Sequence, residues 1–169
     1  MSTRIGWIRH VLRGGAMQLS SCHLFKDLSE SQLNHLITIG NETRIQADQW
    51  LYHEGEAAEQ VFILKDGAVE LLTTVDEVEL PITIIREPGN CFGTSAMVPP
   101  HEYSLSARCA EDAVLLTIKK VDLEALIKAD YELGHAILIN LAKHFRDRLK
   151  ETRQELKIHF KTIFKSMHH

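Results

Sequence analysis

The middle of the chain is a series of short apolar runs separated by turn residues, and this pattern limits the possible folds most strongly. Between residues 43 and 118 the runs are WLYH, VFILK, VELLTTV, LPITII, YSLSARC and VLLTI. Glycine, proline and acidic residues interrupt them at residues 54–56, 66–67, 88–90 and 99–100. Many short strands at this spacing are typical of an antiparallel sandwich or jelly roll. Asp66 and Gly67, between two apolar runs, also indicate a β-hairpin.

Helical periodicity lies on both sides of this segment. Ser29, with Gln32 three residues later, forms a capping-box pattern, and Gly40 ends the helical spacing. After the last strand, VDLEALIKAD predicts a short helix, and Asp130 is the expected N-cap of a long helix that runs to about Lys165. The predicted fold is therefore α+β: a jelly-roll β-barrel (double-stranded β-helix) flanked by N-terminal helices and a long C-terminal dimerisation helix.

The long helix carries an apolar seam with heptad spacing. A helix of about 35 residues would be about 50 Å long, which exceeds the width of a domain of this size. The first turns can pack against the chain's own barrel, but the distal half needs a partner. A second copy of the chain is the simplest partner, so a homodimer is predicted. The seam is weakened at Thr152 and His159, and its apolar positions are Leu138, Ala142, Phe145, Leu149, Leu156 and Ile163.

Composition restricts the function classes. A chain of 169 residues suggests one domain, and it has neither an apolar run of the roughly 18 residues that a membrane span needs nor a secretory signal pattern. Cys22, Cys91 and Cys109 form no C-x-x-C pair, which favours a reducing compartment, so a cytoplasmic location is expected. The net charge of −4 gives no general reason to expect nucleic-acid binding.

Charge is distributed unevenly along the predicted divisions of the chain. These are an N-terminal segment (1–20) that could form a short helix, a barrel domain with flanking helices (21–129) and the long helix (130–169). The stretch from Lys143 to Lys165 contains eight basic and three acidic side chains. This stretch is either a solvated helix face or a docking surface for an unknown acidic protein partner.

Two local patterns in the predicted barrel are more specific. The first runs from Leu51 through Gly55-Glu56 and the apolar residues 61–64 to Gly67. The second is FGTSAM at residues 92–97, followed after five residues by YSLSARC. Together they resemble the barrel signature and phosphate-binding cassette of the cyclic-nucleotide-binding domain of bacterial Crp/Fnr-type regulators, protein kinase A regulatory subunits and gated channels. The resemblance covers residues 24–156 and implies a stand-alone bacterial form of that domain, without a DNA-binding domain.

The resemblance also implies a set of ligand positions. In the family, a Gly opens a short helix whose amides meet the cyclic phosphate, a Glu binds the ribose 2′-hydroxyl and an Arg pairs with the phosphate. Here Thr94 stands at the Glu position and Tyr103 at the Arg position, while Glu102 adds negative charge nearby. Arg108 could replace the missing cation only if its side chain points inward. The implied cassette positions are Phe92, Gly93, Thr94, Ser95, Ala96, Tyr103 and Ser104, and the implied contacts from the long helix are Arg148 and Leu149.

Two functions remain open at this stage. One is a non-catalytic ligand-sensing or signalling module with a degenerate cassette, which does not bind cAMP or cGMP in the usual mode. The other is a ligand-free structural or protein-docking module. No nucleophile–base pair or paired carboxylates indicate an enzyme, so no catalytic residues are predicted. Because the chain ends soon after the long helix, direct DNA binding is not expected.

A haem or redox sensor is a lesser alternative, because some proteins of the resembled family are haem sensors. The ten histidines and three cysteines show no H-x-x-x-H, C-x-x-C or H-x-x-C spacing. Metal sites are usually marked by such spacings. The sequence therefore predicts no metal site and no cofactor.

Overall fold

The computed structural model describes residues 19–167. They form a two-layered antiparallel β structure with three helices of at least ten residues each. The strands are β1 (Gly40–Ile45), β2 (Trp50–Tyr52), β3 (Gln60–Asp66), β4 (Val69–Val75), β5 (Val78–Ile85), β6 (Cys91–Phe92), β7 (Ser106–Cys109) and β8 (Ala113–Lys119). One sheet has the order β1-β8-β3-β6, and the other has the order β2-β7-β4-β5. The predicted jelly roll is therefore confirmed as two facing sheets rather than one closed barrel.

The helices are α1 (Glu30–Ile39), α2 (Lys120–Ala129) and α3 (Tyr131–Met167). The predicted capping box is confirmed, because the Ser29 hydroxyl accepts from the Gln32 amide and the Gln32 side chain accepts from the Ser29 amide. Asp130 caps α3 as predicted, since its carboxylate accepts from the Leu133 amide at 3.0 Å. Among the described residues, none of the helices combines the length and apolar character that crossing a membrane requires. The predicted N-terminal segment lies outside the described residues except for its last two.

Strand β3 lies at the centre of the core. It pairs with β8 on one side and with β6 on the other, and its residues Val61, Phe62, Ile63 and Leu64 are all buried. A strand that is buried on both faces reads as an unbroken apolar run rather than as an alternation, which is how VFIL stands in the sequence.

The first three turns of α3 fasten the helix to the rest of the molecule. Leu133, Ile137 and Leu141 are buried there. The Asn140 side-chain amide donates to the carbonyl oxygens of Leu24 (3.3 Å) and Lys26 (2.8 Å), and so ties the chain before α1 to α3. Beyond residue 144 the described part of α3 is exposed along its whole length.

The hairpin predicted at Asp66-Gly67 is wrong. Strands β3 and β4 lie in different sheets, and Gly67 is the point at which the chain crosses between them. The tight hairpin joins β4 to β5 instead, at Asp76 and Glu77, where both residues have positive φ (49° and 66°). A two-residue turn with positive φ at both positions matches the right-handed twist of paired strands. Asp and Glu lack the glycine signal by which such turns are usually recognised.

Gly67 and Gly55 provide a matched pair for testing the crossing. Both have positive φ (88° and 83°), but a Cβ on Gly67 would lie 2.1 Å from the Asp112 carbonyl oxygen, whereas a Cβ on Gly55 would meet nothing within 4 Å. We expect Gly55→Ala to lower the free energy of unfolding by about 1–2 kcal/mol, the cost of a left-handed conformation. Gly67→Ala should cost at least about 2 kcal/mol more because of the added overlap. Urea unfolding followed by circular dichroism measures both; equal losses would contradict this account of the crossing.

Candidate ligand pocket

A pocket of about 450 Å³ opens between the cassette segment (residues 92–104), β5 and α3. Its volume falls within the range of about 300–1,000 Å³ that is usual for small-molecule sites. The cassette segment supplies residues 92–95 and 103–104, β5 supplies residues 83–85, and α3 supplies His144, Phe145 and Arg148. The pocket therefore touches both the predicted cassette and the long helix.

The first half of the cassette segment is a glycine-initiated turn. Gly93 has a φ of 72°, and a Cβ at this position would lie 3.0 Å from the Gln60 carbonyl oxygen and 3.0 Å from the Phe62 ring. Residues Thr94–Met97 then form one 3-10 turn. Ala96 is buried on its far side, where it contacts a small separate cavity near Leu123 rather than the pocket. Of the cassette positions taken from the sequence, Ala96 is the one that the pocket does not include.

Both the ring and the hydroxyl of Tyr103 contact other residues of the protein. Its ring stacks on Tyr52 with centroids 3.6 Å apart, and its hydroxyl donates to the Gln60 carbonyl oxygen at 3.0 Å. Burial raises the pKa of the Tyr103 hydroxyl above its usual value, and burial together with Tyr103 raises the pKa of Tyr52. Both phenols are neutral at physiological pH, so the position that corresponds to the family's Arg carries no charge.

Two charged residues near the cassette segment, Arg108 and Glu102, do not line the pocket. Arg108 donates to Glu70 (3.0 Å) and Glu79 (3.2 Å), and its guanidinium lies 4.9 Å from the Trp50 ring centroid. The hydrogen bond that Arg108 donates to the Glu70 carboxylate raises the pKa of Arg108. Its side chain is not part of the pocket wall, and neither is Glu102, which is exposed. The repulsion expected from Glu102 therefore acts through solvent rather than inside the pocket.

Among the described residues that line the pocket, Arg148 is the one Lys or Arg, and no carboxylate is present. Arg148 also donates to Glu151 on the same helix at 3.2 Å. Leu149, the other position taken from the sequence, is half exposed and is not part of the wall. The described pocket thus combines a largely apolar and hydroxylated wall with one cation, which is already paired.

A group of sulfur and imidazole side chains lines the pocket end next to α3. His23 stacks on His144 with ring centroids 4.0 Å apart, and Cys91 Sγ lies 3.4 Å from His23 Nε2. Burial, with a contribution from His144, lowers the pKa of His23 to about 4, and burial lowers the pKa of His144, so both imidazoles are neutral at pH 7.

Cys22 directly precedes His23 in the chain, and its thiol lies within 4.8 Å of the Cys91 thiol. Burial alone would raise the pKa of the Cys22 thiol, but hydrogen bonds from Cys91 and from the Leu24 and Phe25 amides lower it. Burial and the neighbouring Cys22 raise the pKa of Cys91. Sequence spacing missed this group because its members come from three separate parts of the chain. The adjacent Cys22-His23 pair was the one available signal.

The predicted heptad seam lies on the exposed side of α3. Leu138, Phe145, Leu149, Leu156 and Ile163 are each between 44% and 52% exposed, and Ala142 is exposed as well. Phe145 belongs both to the seam and to the pocket wall. A large apolar side chain thus connects the two features directly.

Comparison with known proteins agrees with this architecture. The family model of the cyclic nucleotide-binding domain matches residues 42–130, just over half of the chain. The crystal structure of the catabolite activator protein of Thermus thermophilus superposes with a TM-score of 0.69 at 24% identity, covering 80% of this chain and 62% of that one.

Curated relatives match over most of this chain. The anaerobic regulatory protein of Bacillus subtilis is 25% identical over 80% of this chain and 57% of its own length. An uncharacterized NTE family protein of Mycobacterium tuberculosis is 23% identical over 76% of this chain and 21% of its own length. The chain thus spans about a fifth of the latter protein and little more than half of the former. From the family match and the fold together, the chain belongs to the cyclic nucleotide-binding domain family.

Proposed function

We propose that this domain is a non-catalytic sensor whose pocket takes a small molecule with less negative charge than a cyclic nucleotide. The proposal rests on one observation: the described pocket wall has a single Lys or Arg and no carboxylate. Thr94 and Tyr103 stand where the family's charged ligand contacts are expected, and Arg148 is the one Lys or Arg in the described lining. The cassette is degenerate in charge but keeps its spacing.

The size of the missing interaction supports this choice. A charge-assisted hydrogen bond contributes about 1.5–3 kcal/mol, which corresponds to roughly a 10- to 150-fold change in affinity. Tyr103 cannot replace the cation, because its phenol is neutral and donates to Gln60. Arg108 cannot replace it without leaving both Glu70 and Glu79. Arg148 is the one Lys or Arg of the described wall, and one of its guanidinium nitrogens already donates to Glu151.

The proposed signal travels through α3. A ligand in the pocket would contact the cassette segment on one side and Phe145 and Arg148 on the other. Ligand binding would therefore favour one position of α3 relative to the sheets, provided that the ligand binds that position more tightly. Because Phe145 is also a seam residue, a shift of this kind would reach whatever the seam contacts.

A homodimer through α3 is part of the same proposal. The helix has 37 residues, which corresponds to about 55 Å, and its buried residues end at Leu141. The exposed seam repeats at alternating intervals of four and three residues, the spacing of two-stranded coiled coils. A second copy of this chain offers an identical seam and would cover it symmetrically.

The alternative function, a ligand-free docking module, is favoured by one observation. Tyr103 stacks on Tyr52 and bonds to Gln60, so part of the ligand position implied by the family is filled by the protein itself. In that case the basic distal part of α3 would recruit a partner protein. The cytoplasmic location, the lack of direct DNA binding and the division into residues 1–20, 21–129 and 130–169 remain predictions.

The charge argument can be tested with cAMP and adenosine, which share a base and differ in the cyclic phosphate. In calorimetry with the full chain, we expect cAMP to bind no more tightly than adenosine, and cGMP to show no micromolar affinity, because the one Lys or Arg of the described wall, Arg148, is already paired with Glu151. Micromolar binding of cAMP or cGMP, or cAMP binding more than tenfold tighter than adenosine, would refute the proposal.

The sensor and docking alternatives can be separated by native mass spectrometry of protein taken directly from cells. A sensor should retain a small molecule that denaturing conditions release. Phe145→Ala removes a pocket side chain and should reduce that occupancy, whereas Ile158→Ala, at an exposed apolar position of α3 outside the seam and the pocket, should not. Ligand-free protein in every preparation would favour the docking module.

The dimer prediction has a matched pair of variants. Leu149→Glu places a carboxylate in the seam, whereas Gln154→Glu adds the same charge at an exposed non-seam position of α3. A carboxylate buried without a partner costs several kcal/mol, so Leu149→Glu should yield monomers and Gln154→Glu should not. Light scattering over a concentration series measures the masses. A wild-type chain that stays monomeric at all concentrations would refute the dimer.

A further inference from the structure

Three possible metal ligands converge beside the pocket. Cys22 and His23 belong to the segment before α1, and Cys91 is the first residue of β6, 68 residues after His23. One ligand atom from each of these side chains lies within 4.8 Å of the other two. Both cysteines are buried and form no disulfide, and His23 is partly buried. Apart from this group, no cluster of three or more such side chains with metal-ligand spacing is found in residues 19–167.

The distance between Cys91 and His23 matches that between two ligands of a small tetrahedral centre. With Zn–S bonds of about 2.3 Å and Zn–N bonds of about 2.0 Å, neighbouring ligand atoms lie roughly 3.5–3.8 Å apart. Cys91 Sγ lies 3.4 Å from His23 Nε2 and 3.7 Å from His23 Nδ1. The Cys22 ligand atom lies within 4.8 Å of the other two, so a metal ion would draw it closer to them by about 1 Å at most.

The donor set also selects the kind of metal. Two thiolates and an imidazole suit zinc and other soft or borderline metals, whereas Mg²⁺ and Ca²⁺ prefer oxygen ligands. Two thiolates would balance the charge of a divalent ion, so the loaded site would add no net charge to the end of the pocket. Such a site fits a buried position, where an unbalanced charge would be costly.

We propose that Cys22, His23 and Cys91 form a binding site for Zn²⁺, with a fourth coordination position open towards the pocket. The ring of His144 stacks on His23 and positions it from α3. The site thus connects the segment before α1, the strand next to the cassette segment and the long helix. Zinc would hold these three parts together and would add to the pocket a metal with one exchangeable position, as catalytic and ligand-binding zinc sites have.

Cobalt titration of the reduced full-length chain tests the site directly, because Co²⁺ occupies zinc sites and absorbs visibly. We expect one equivalent to produce a thiolate-to-cobalt charge-transfer band together with the d–d bands of a tetrahedral ion, and Zn²⁺ to displace it. Cys22→Ser and Cys91→Ser should each weaken binding by more than about 100-fold, the upper range for loss of an outer-shell partner. His23→Gln should weaken it by at least about tenfold.

Cys109 provides the matched control, because it is also buried and unpaired but lies outside the cluster. Cys109→Ser should bind Co²⁺ like the wild-type chain. A second measurement needs no variant: Zn²⁺ should protect Cys22 and Cys91, but not Cys109, from alkylation, as read by peptide mass mapping. Absence of the charge-transfer band in the folded, reduced wild-type chain would overturn the proposal. Equal loss of the band in Cys109→Ser, or equal protection of all three cysteines, would overturn it too.

Discussion

The buried strand β3 is the element on which the rest of the structure depends. Its side chains Val61 to Leu64 are removed from water on both faces, and its backbone pairs with β8 and β6 at once. β6 leads directly into the cassette turn, where Gly93 has positive φ and a Cβ on it would lie only 3.0 Å from Gln60 and Phe62 of β3. The position of the pocket wall therefore follows from the burial of one four-residue apolar run.

The same strand also holds the second half of the cassette segment in place. The Tyr103 hydroxyl bonds to the Gln60 backbone, and the ring stacks on Tyr52. The turn thus remains ordered by internal packing, and the pocket beside it is left nearly uncharged. The proposed loss of the charged ligand contacts is therefore compatible with retention of the fold.

The pocket lies at a junction of three parts of the chain. The segment before α1 brings Cys22 and His23, β6 brings Cys91, and α3 brings His144 and Phe145. Asn140 holds the first and third of these together through two backbone carbonyl groups. A molecule or ion bound at this junction would act on the long helix at the point where the helix leaves the sheets. The distal, exposed part of α3 would then carry the effect outward.

Local patterns in the sequence determined the element types and the capping of α1 and α3, because each depends on neighbouring residues only. The resemblance to known cassettes predicted that Thr94 and Tyr103 stand at two ligand positions, and both residues line the pocket. The tertiary structure decided what distant residues do together. It placed Gly67 at a sheet crossing rather than in a hairpin, turned Arg108 towards Glu70 and Glu79, and moved Ala96 out of the pocket. It also brought His23 to Cys91 across 68 residues. No local spacing encodes such contacts, since they join residues that are far apart in the chain and meet only when the sheets and helices pack together.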